Sequence, residues 1–106
     1  MKNILITGGA GLVGTVLTQG LKDKYNVKIL DIKKADGVES HAGDISNLDS
    51  IMPAFKNVDT VVHLAGDRRV HGEWESILDN NIIGLYNIYE AARLTGVKRV
   101  IFASSQ

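Results

Sequence analysis

Short, nearly continuous runs of Ile, Leu and Val alternate along the chain with stretches whose apolar residues recur at helical spacing. Asn3 to Thr7 reads as a buried strand ended by a glycine cluster, after which Val13, Val16, Leu17 and Leu21 trace one face of a helix. Val27 to Leu30 is a second strand closed by Asp31, and the polar loop Lys33 to Gly37 leads to a weaker strand near Val38 to Ala42. Ser46 and Asp49 resemble a capping box, ahead of a helix with Leu48, Ile51, Met52 and Phe55 on one side. Pro53 lies inside that pattern, where its ring and missing N–H predict a distorted or shortened helix. Thr60 to Leu64 is a fourth strand. After a charged loop, Leu78, Ile82, Leu85, Tyr89 and Ala92 mark a long helix, and Val100 to Phe102 begins a fifth strand.

Aliphatic strands without polar alternation need cover on both faces, and helices between consecutive strands supply it. The pattern predicts one α/β domain over residues 1–106, a doubly wound parallel sheet of about five strands in the order 3-2-1-4-5. Its crossovers should be right-handed.

Composition narrows the partners. Twelve basic residues balance twelve acidic ones, so no overall field favours nucleic acid or an anionic membrane. The absence of cysteine excludes disulfides, thiolate metal sites and cysteine nucleophiles. No apolar stretch approaches the roughly 20 residues that span a bilayer. The run Ile4, Leu5, Ile6 behind Lys2 is too short for a signal peptide, so a cytoplasmic location is expected. No second histidine stands at metal-ligand spacing from His63, which reads as a structural strand-end residue, and no metal site is expected.

Candidate chemistry starts at Thr7-Gly8-Gly9-Ala10-Gly11-Leu12-Val13-Gly14, where the first strand meets the first helix. Gly9, Gly11 and Gly14 fit G-x-G-x-x-G, while Gly8, Gly11 and Gly14 fit G-x-x-G-x-x-G. Either reading gives a tight turn, a backbone that phosphate can approach, and close packing of helix on strand. The free N–H groups and positive dipole end of the helix would then face a pyrophosphate. Asp31 ends the second strand, where a carboxylate can accept both ribose hydroxyls of an adenosine and repel a 2′-phosphate. NAD is therefore expected over NADP, although Lys33 and Lys34 stand close enough to soften the preference. A plain strand-end turn would also use an aspartate at position 31.

With these residues and four further segments, the chain resembles the extended short-chain dehydrogenase/reductases, also called the NAD-dependent epimerase/dehydratase family. The glycine turn looks like the family's TGxxGxxG, and Gly43-Asp44-Ile45 like its adenine-contacting Asp-hydrophobic pair. Val62-His63-Leu64-Ala65-Gly66 looks like its VHLA(A/G) segment, and Asn81-Ile82-Ile83-Gly84 like its NxxG motif. Phe102-Ala103-Ser104-Ser105 looks like the strand that delivers its catalytic serine. Within the family, the stretch Asn80 to Arg93 is most similar to uronate dehydrogenases. The resemblance implies a Rossmann fold with NAD held by Gly8, Gly11, Leu12, Val13, Gly14, Asp31, Asp44, Ile45, Leu64, Ala65 and Gly66. It implies catalytic roles for Ser105 and Asn81. Asn81 also reads as a core amide, and Asp44 as a simple turn residue before the helix.

The loop Asp67-Arg68-Arg69-Val70-His71 follows the fourth strand, at the edge where ligands bind in such sheets. Its arginines could grip a carboxylate or phosphate, or lie solvated; the stretch also departs from the uronate dehydrogenases. Trp74 reads as a packing anchor. The family's Tyr-x-x-x-Lys base is missing: Tyr25, Tyr86 and Tyr89 are followed at that spacing by Ile29, Glu90 and Arg93. The chain is thus expected to be the front portion of a longer NAD-dependent oxidoreductase of a sugar or sugar acid, inactive alone. A nucleotide-sugar epimerase or dehydratase and a non-enzymatic NAD-sensing module are the alternatives. An uncovered fifth strand would favour marginal stability or self-association through that edge.

Overall fold

The computed structural model describes residues 2–8, 12–34, 37–64 and 83–102. Its elements are β1 (Asn3–Thr7), α1 (Leu12–Leu21), β2 (Asn26–Asp31), β3 (Glu39–Ala42), α2 (Leu48–Ile51), a 3-10 turn (Met52–Phe55), β4 (Thr60–His63), α3 (Gly84–Thr95) and β5 (Arg99–Phe102). The strands form one sheet in the order β3-β2-β1-β4-β5, and every ladder is parallel. The expected topology is therefore the observed one.

Because side chains alternate across a strand, the sheet sorts its aliphatic residues into two cores. Ile4, Ile6, Ile29, Val62 and Leu64 form one, with Leu17 and Leu21 of α1 packed against it. Leu5, Leu30 and Val61 point the other way and join Ile45, Ile51, Ala54, Phe55, Ile88, Ala91 and Ala92. Burying each Leu, Ile or Phe side chain contributes about 1.5–3 kcal/mol, so both faces need their helices.

The helices sit differently from their large-apolar pattern. Among the described side chains of α1 the buried positions are Gly14 and Thr18, with Leu17 and Leu21 half-buried, while Val16 is 65% exposed. Residues 14, 17, 18 and 21 form one stripe at helical spacing, and a glycine in it lets the helix approach the strands. In α3 the buried residues are Gly84, Asn87, Ile88, Ala91 and Ala92. Tyr89, expected inside, is 49% exposed. Small residues again bring the helix close, which turns the tyrosines outward. Leu78 and Ile82 lie outside the described residues. The helix ends at Gly96, whose φ of +79° is left-handed and whose N–H donates to the Ala92 carbonyl.

Two boundaries also move. The capping box expected at Ser46 is not formed; Asn47 is the N-cap, its side chain accepting from the Ser50 N–H. Ser46 is taken up by Asp44, which accepts from both its N–H and its hydroxyl. Pro53 has the expected effect: α2 stops at Ile51 and the chain continues as a 3-10 turn with the proline in its first turn. Among the described residues β5 is one edge of the sheet, with Ile101 and Phe102 exposed.

Candidate functional site

Parallel strands end together, and the registers align their last residues. Thr7 lies beside Leu30 on one side and His63 on the other, Asp31 beside Ala42, and His63 beside Phe102. The chain runs outward in one direction from β1 to β2 and β3, and in the other through β4 to β5. The reversal falls between β1 and β4, so the carboxyl ends of these two strands flank the crevice where such sheets take ligands.

Gly8 leaves β1 with a φ of +81°, a backbone conformation costly for any residue with a Cβ. Its N–H donates to the Leu30 carbonyl at 2.8 Å, which folds the start of the glycine turn over the end of β2. Leu12, Val13 and Gly14 form the first turn of α1, and Gly14 is buried. Gly11, Ala65, Gly66, Asn81 and Ser105 lie outside the described residues, as do the Asp67–His71 loop and Trp74. Leu64 is buried beyond the end of β4, and its N–H donates to the Thr7 carbonyl at 2.8 Å.

Asp31 is half-buried at the end of β2, and one carboxylate oxygen accepts from the Ile32 N–H at 2.7 Å. Its carbonyl accepts from the Gly43 N–H at 2.9 Å, tying the ends of β2 and β3 together. Asp44 is exposed and Ile45 is 6% exposed, so the pair presents a carboxylate beside an anchored apolar residue. Ser50 holds the segment from below: its hydroxyl accepts from the Asp44 N–H at 3.1 Å and lies 3.0 Å from the Asp44 carbonyl. The structure thus gathers Gly8, Asp31, Asp44 and Ile45 along one edge.

Three features escaped the sequence reading. Gly43 has no room for a side chain, since a Cβ there would stand 2.9 Å from the Ser50 carbonyl oxygen. Asn87 is a buried amide in α3 that donates from Nδ2 to the Ile45 carbonyl at 2.8 Å. An asparagine amid apolar helix positions was the available signal. The third is a buried pair: Thr7 Oγ1 and His63 Nδ1 share a hydrogen bond of 2.6 Å, and Phe102 tilts over the imidazole at 5.4 Å between centroids. Burial lowers the His63 pKa from 6.5 to about 4, so the ring is neutral near pH 7. It serves as the structural residue expected at the end of β4, and it clasps together the two strands flanking the crevice.

A left-handed glycine at a strand end, a buried glycine in the first turn of the next helix, a carboxylate ending β2 and an exposed Asp beside an anchored Ile suit an adenine dinucleotide. By contrast, two clefts of about 230 and 420 Å³ open at the opposite, amino edge, around Asn3, Asn26, Val27 and Glu39. Ligands of parallel sheets are bound at the carboxyl edge, so these clefts carry no part of the site.

Comparison with known proteins agrees with this geometry. Residues 4–106 match the model of the NAD dependent epimerase/dehydratase family. The chain is 36% identical over 105 residues to an L-arabinose 1-dehydrogenase (NAD(P)(+)) of Haloferax volcanii, covering 99% of this chain and 41% of that protein. It is 39% identical over 108 residues to a uronate dehydrogenase of Pseudomonas syringae pv. tomato, covering 96% of this chain and 39% of that one. Among solved structures, an NAD complex of a tyrosine-to-alanine mutant of Agrobacterium tumefaciens uronate dehydrogenase superposes with a TM-score of 0.88 at 37% identity, over 99% of this chain and 41% of that one. The chain therefore spans about two fifths of the relatives it matches. It belongs to the NAD dependent epimerase/dehydratase family.

Proposed function

We propose that this chain is the NAD-binding portion of a dehydrogenase that oxidises a sugar or sugar acid. The observation carrying the proposal is the conjunction of the left-handed Gly8 turn and the Asp31 carboxylate at the carboxyl edge of a five-stranded parallel sheet. NAD would lie with its pyrophosphate over the glycine turn and the start of α1, its adenosine ribose on Asp31 and its adenine against Asp44 and Ile45. Leu64, Ala65 and Gly66 would line the nicotinamide side. Bound there, NAD supplies the hydride acceptor. Ser105 would position a substrate oxygen and Asn81 would help organise the reacting groups. The general base is not supplied by a Tyr-x-x-x-Lys pair of this chain. Kinship with uronate and arabinose dehydrogenases supports a sugar or sugar-acid substrate. Similarity to a UDP-galactose 4-epimerase, with a TM-score of 0.85 at 30% identity, favours a nucleotide-sugar epimerase as the second reading.

Calorimetric titration of the full chain with NADH and with NADPH tests the proposal. NADH binding with much weaker NADPH binding is expected; a folded chain that binds neither would overturn it. Titration of the NADH-bound chain with a free uronate or aldose and with a UDP-sugar separates the two readings: binding of the free sugar favours the dehydrogenase, binding of the UDP-sugar the epimerase.

A further inference from the structure

Asn87 occupies a position that packing alone would fill with leucine or alanine. It lies in the interior of α3, 7% exposed, in the same stripe as Ile88, Ala91 and Ala92. Asparagine is a poorer helix former than alanine, and a buried amide costs free energy unless it is hydrogen-bonded. Its Nδ2 donates to the carbonyl of Ile45, which is distant in sequence and lies in the turn between β3 and α2. That carbonyl belongs to no ladder, and without Asn87 it would be a buried acceptor lacking this partner. The hydrogen bond therefore adds to the packing of the Ile45 side chain in holding the turn against the core.

The remaining anchors of this turn act elsewhere. Gly43 is tied to Asp31, and Asp44 to Ser46 and Ser50. Ile45 is held by its side chain, packed in the core with Ile88, Ala91 and Ala92, and its carbonyl by Asn87, on a helix that follows β4 in the chain.

We propose that Asn87 is a positioning residue for the adenine end of the dinucleotide, holding Asp44 and Ile45 where they discriminate the base. The inference rests on the NAD reading above. It also couples α3, the helix that follows the proposed Asn81 position, to the opposite end of the cofactor.

The test is binding by the full chain. Wild type, Asn87→Leu and Asn87→Ser are titrated with ADP-ribose, with NADH and with reduced nicotinamide hypoxanthine dinucleotide, and folding is checked by circular dichroism. Loss of one buried hydrogen bond should weaken ADP-ribose by about tenfold. The preference of wild type for NADH over the hypoxanthine analogue should shrink toward parity, a change that general loosening of the fold would not produce. Asn87→Ser, whose hydroxyl stops one bond short of the Asn87 Nδ2 position, provides a second, smaller side chain that loses the bond should leucine overfill the site. A folded variant retaining both the affinity and the base preference would overturn the proposal. Wild type that ignores ADP-ribose would overturn the NAD reading itself, and the positioning role with it.

Discussion

The two edges of the sheet use polar residues in opposite ways. At the amino edge Asn3 is the hub: its N–H donates to Asp59 at 2.8 Å, its side-chain amide to the Asn57 carbonyl at 2.7 Å, and its amide oxygen accepts from Asn26 at 3.0 Å. These bonds join residues 23 to 56 positions apart and lock the beginnings of β1, β2 and β4 to one another. At the carboxyl edge the carboxylates of Asp31 and Asp44 bond to N–H groups one and two residues on. Such short-range bonds fix the shape of a loop without closing it against another strand. One edge is tied together by long-range side-chain bonds, and the other carries the proposed dinucleotide site. The Thr7–His63 clasp and the Asn87–Ile45 bond are the exceptions, long-range bonds buried beneath that edge.

The clasp gives the largest expected effect. His63 has a folded pKa lowered from 6.5 to about 4, so the unfolded chain takes up its proton first as pH falls. Stability should be full above the unfolded value, decline between 6.5 and about 4, and lose up to about 3 kcal/mol by the lower limit. Thermal melts of wild type and His63→Phe across that range check this: the variant should lack this component of the acid slope. An identical slope in both proteins would remove His63 from the account.

Gly43→Ala comes next. A Cβ at 2.9 Å from the Ser50 carbonyl must push β3 and α2 apart, at a cost of about 2 kcal/mol, seen as a lower thermal midpoint. Because the displaced segment carries Asp44, ADP-ribose affinity should fall as well.

Asp59→Ala tests the amino edge. Removing the acceptor of the Asn3 N–H should cost about 1.5 kcal/mol in stability while leaving NADH affinity within twofold. A large loss of cofactor binding in this variant would break the division between the two edges.

Asp31→Asn should do the reverse. With the carboxylate gone, the preference for NADH over NADPH should drop about tenfold, with little change in thermal midpoint. An unchanged ratio in the Asp31→Asn protein would place the 2′-hydroxyl elsewhere.

The order and type of the elements, the parallel sheet and the glycine turn were legible in the sequence. These follow from signals that are local in the chain: runs of Ile, Leu and Val, glycines after a strand, an aspartate ending the next one. Only packing sets which way the helices face, because α1 and α3 approach the sheet largely through small residues, Gly14, Thr18, Gly84, Ala91 and Ala92, with Leu17, Leu21 and Ile88 beside them and Val16 and Tyr89 turned outward. Close approach is a property of two surfaces, and no count of hydrophobic positions on one of them contains it. For the same reason the Asn87–Ile45 bond, the Thr7–His63 clasp and the crowded Cβ position at Gly43 emerge only when β1, β4, α2 and α3 are brought together.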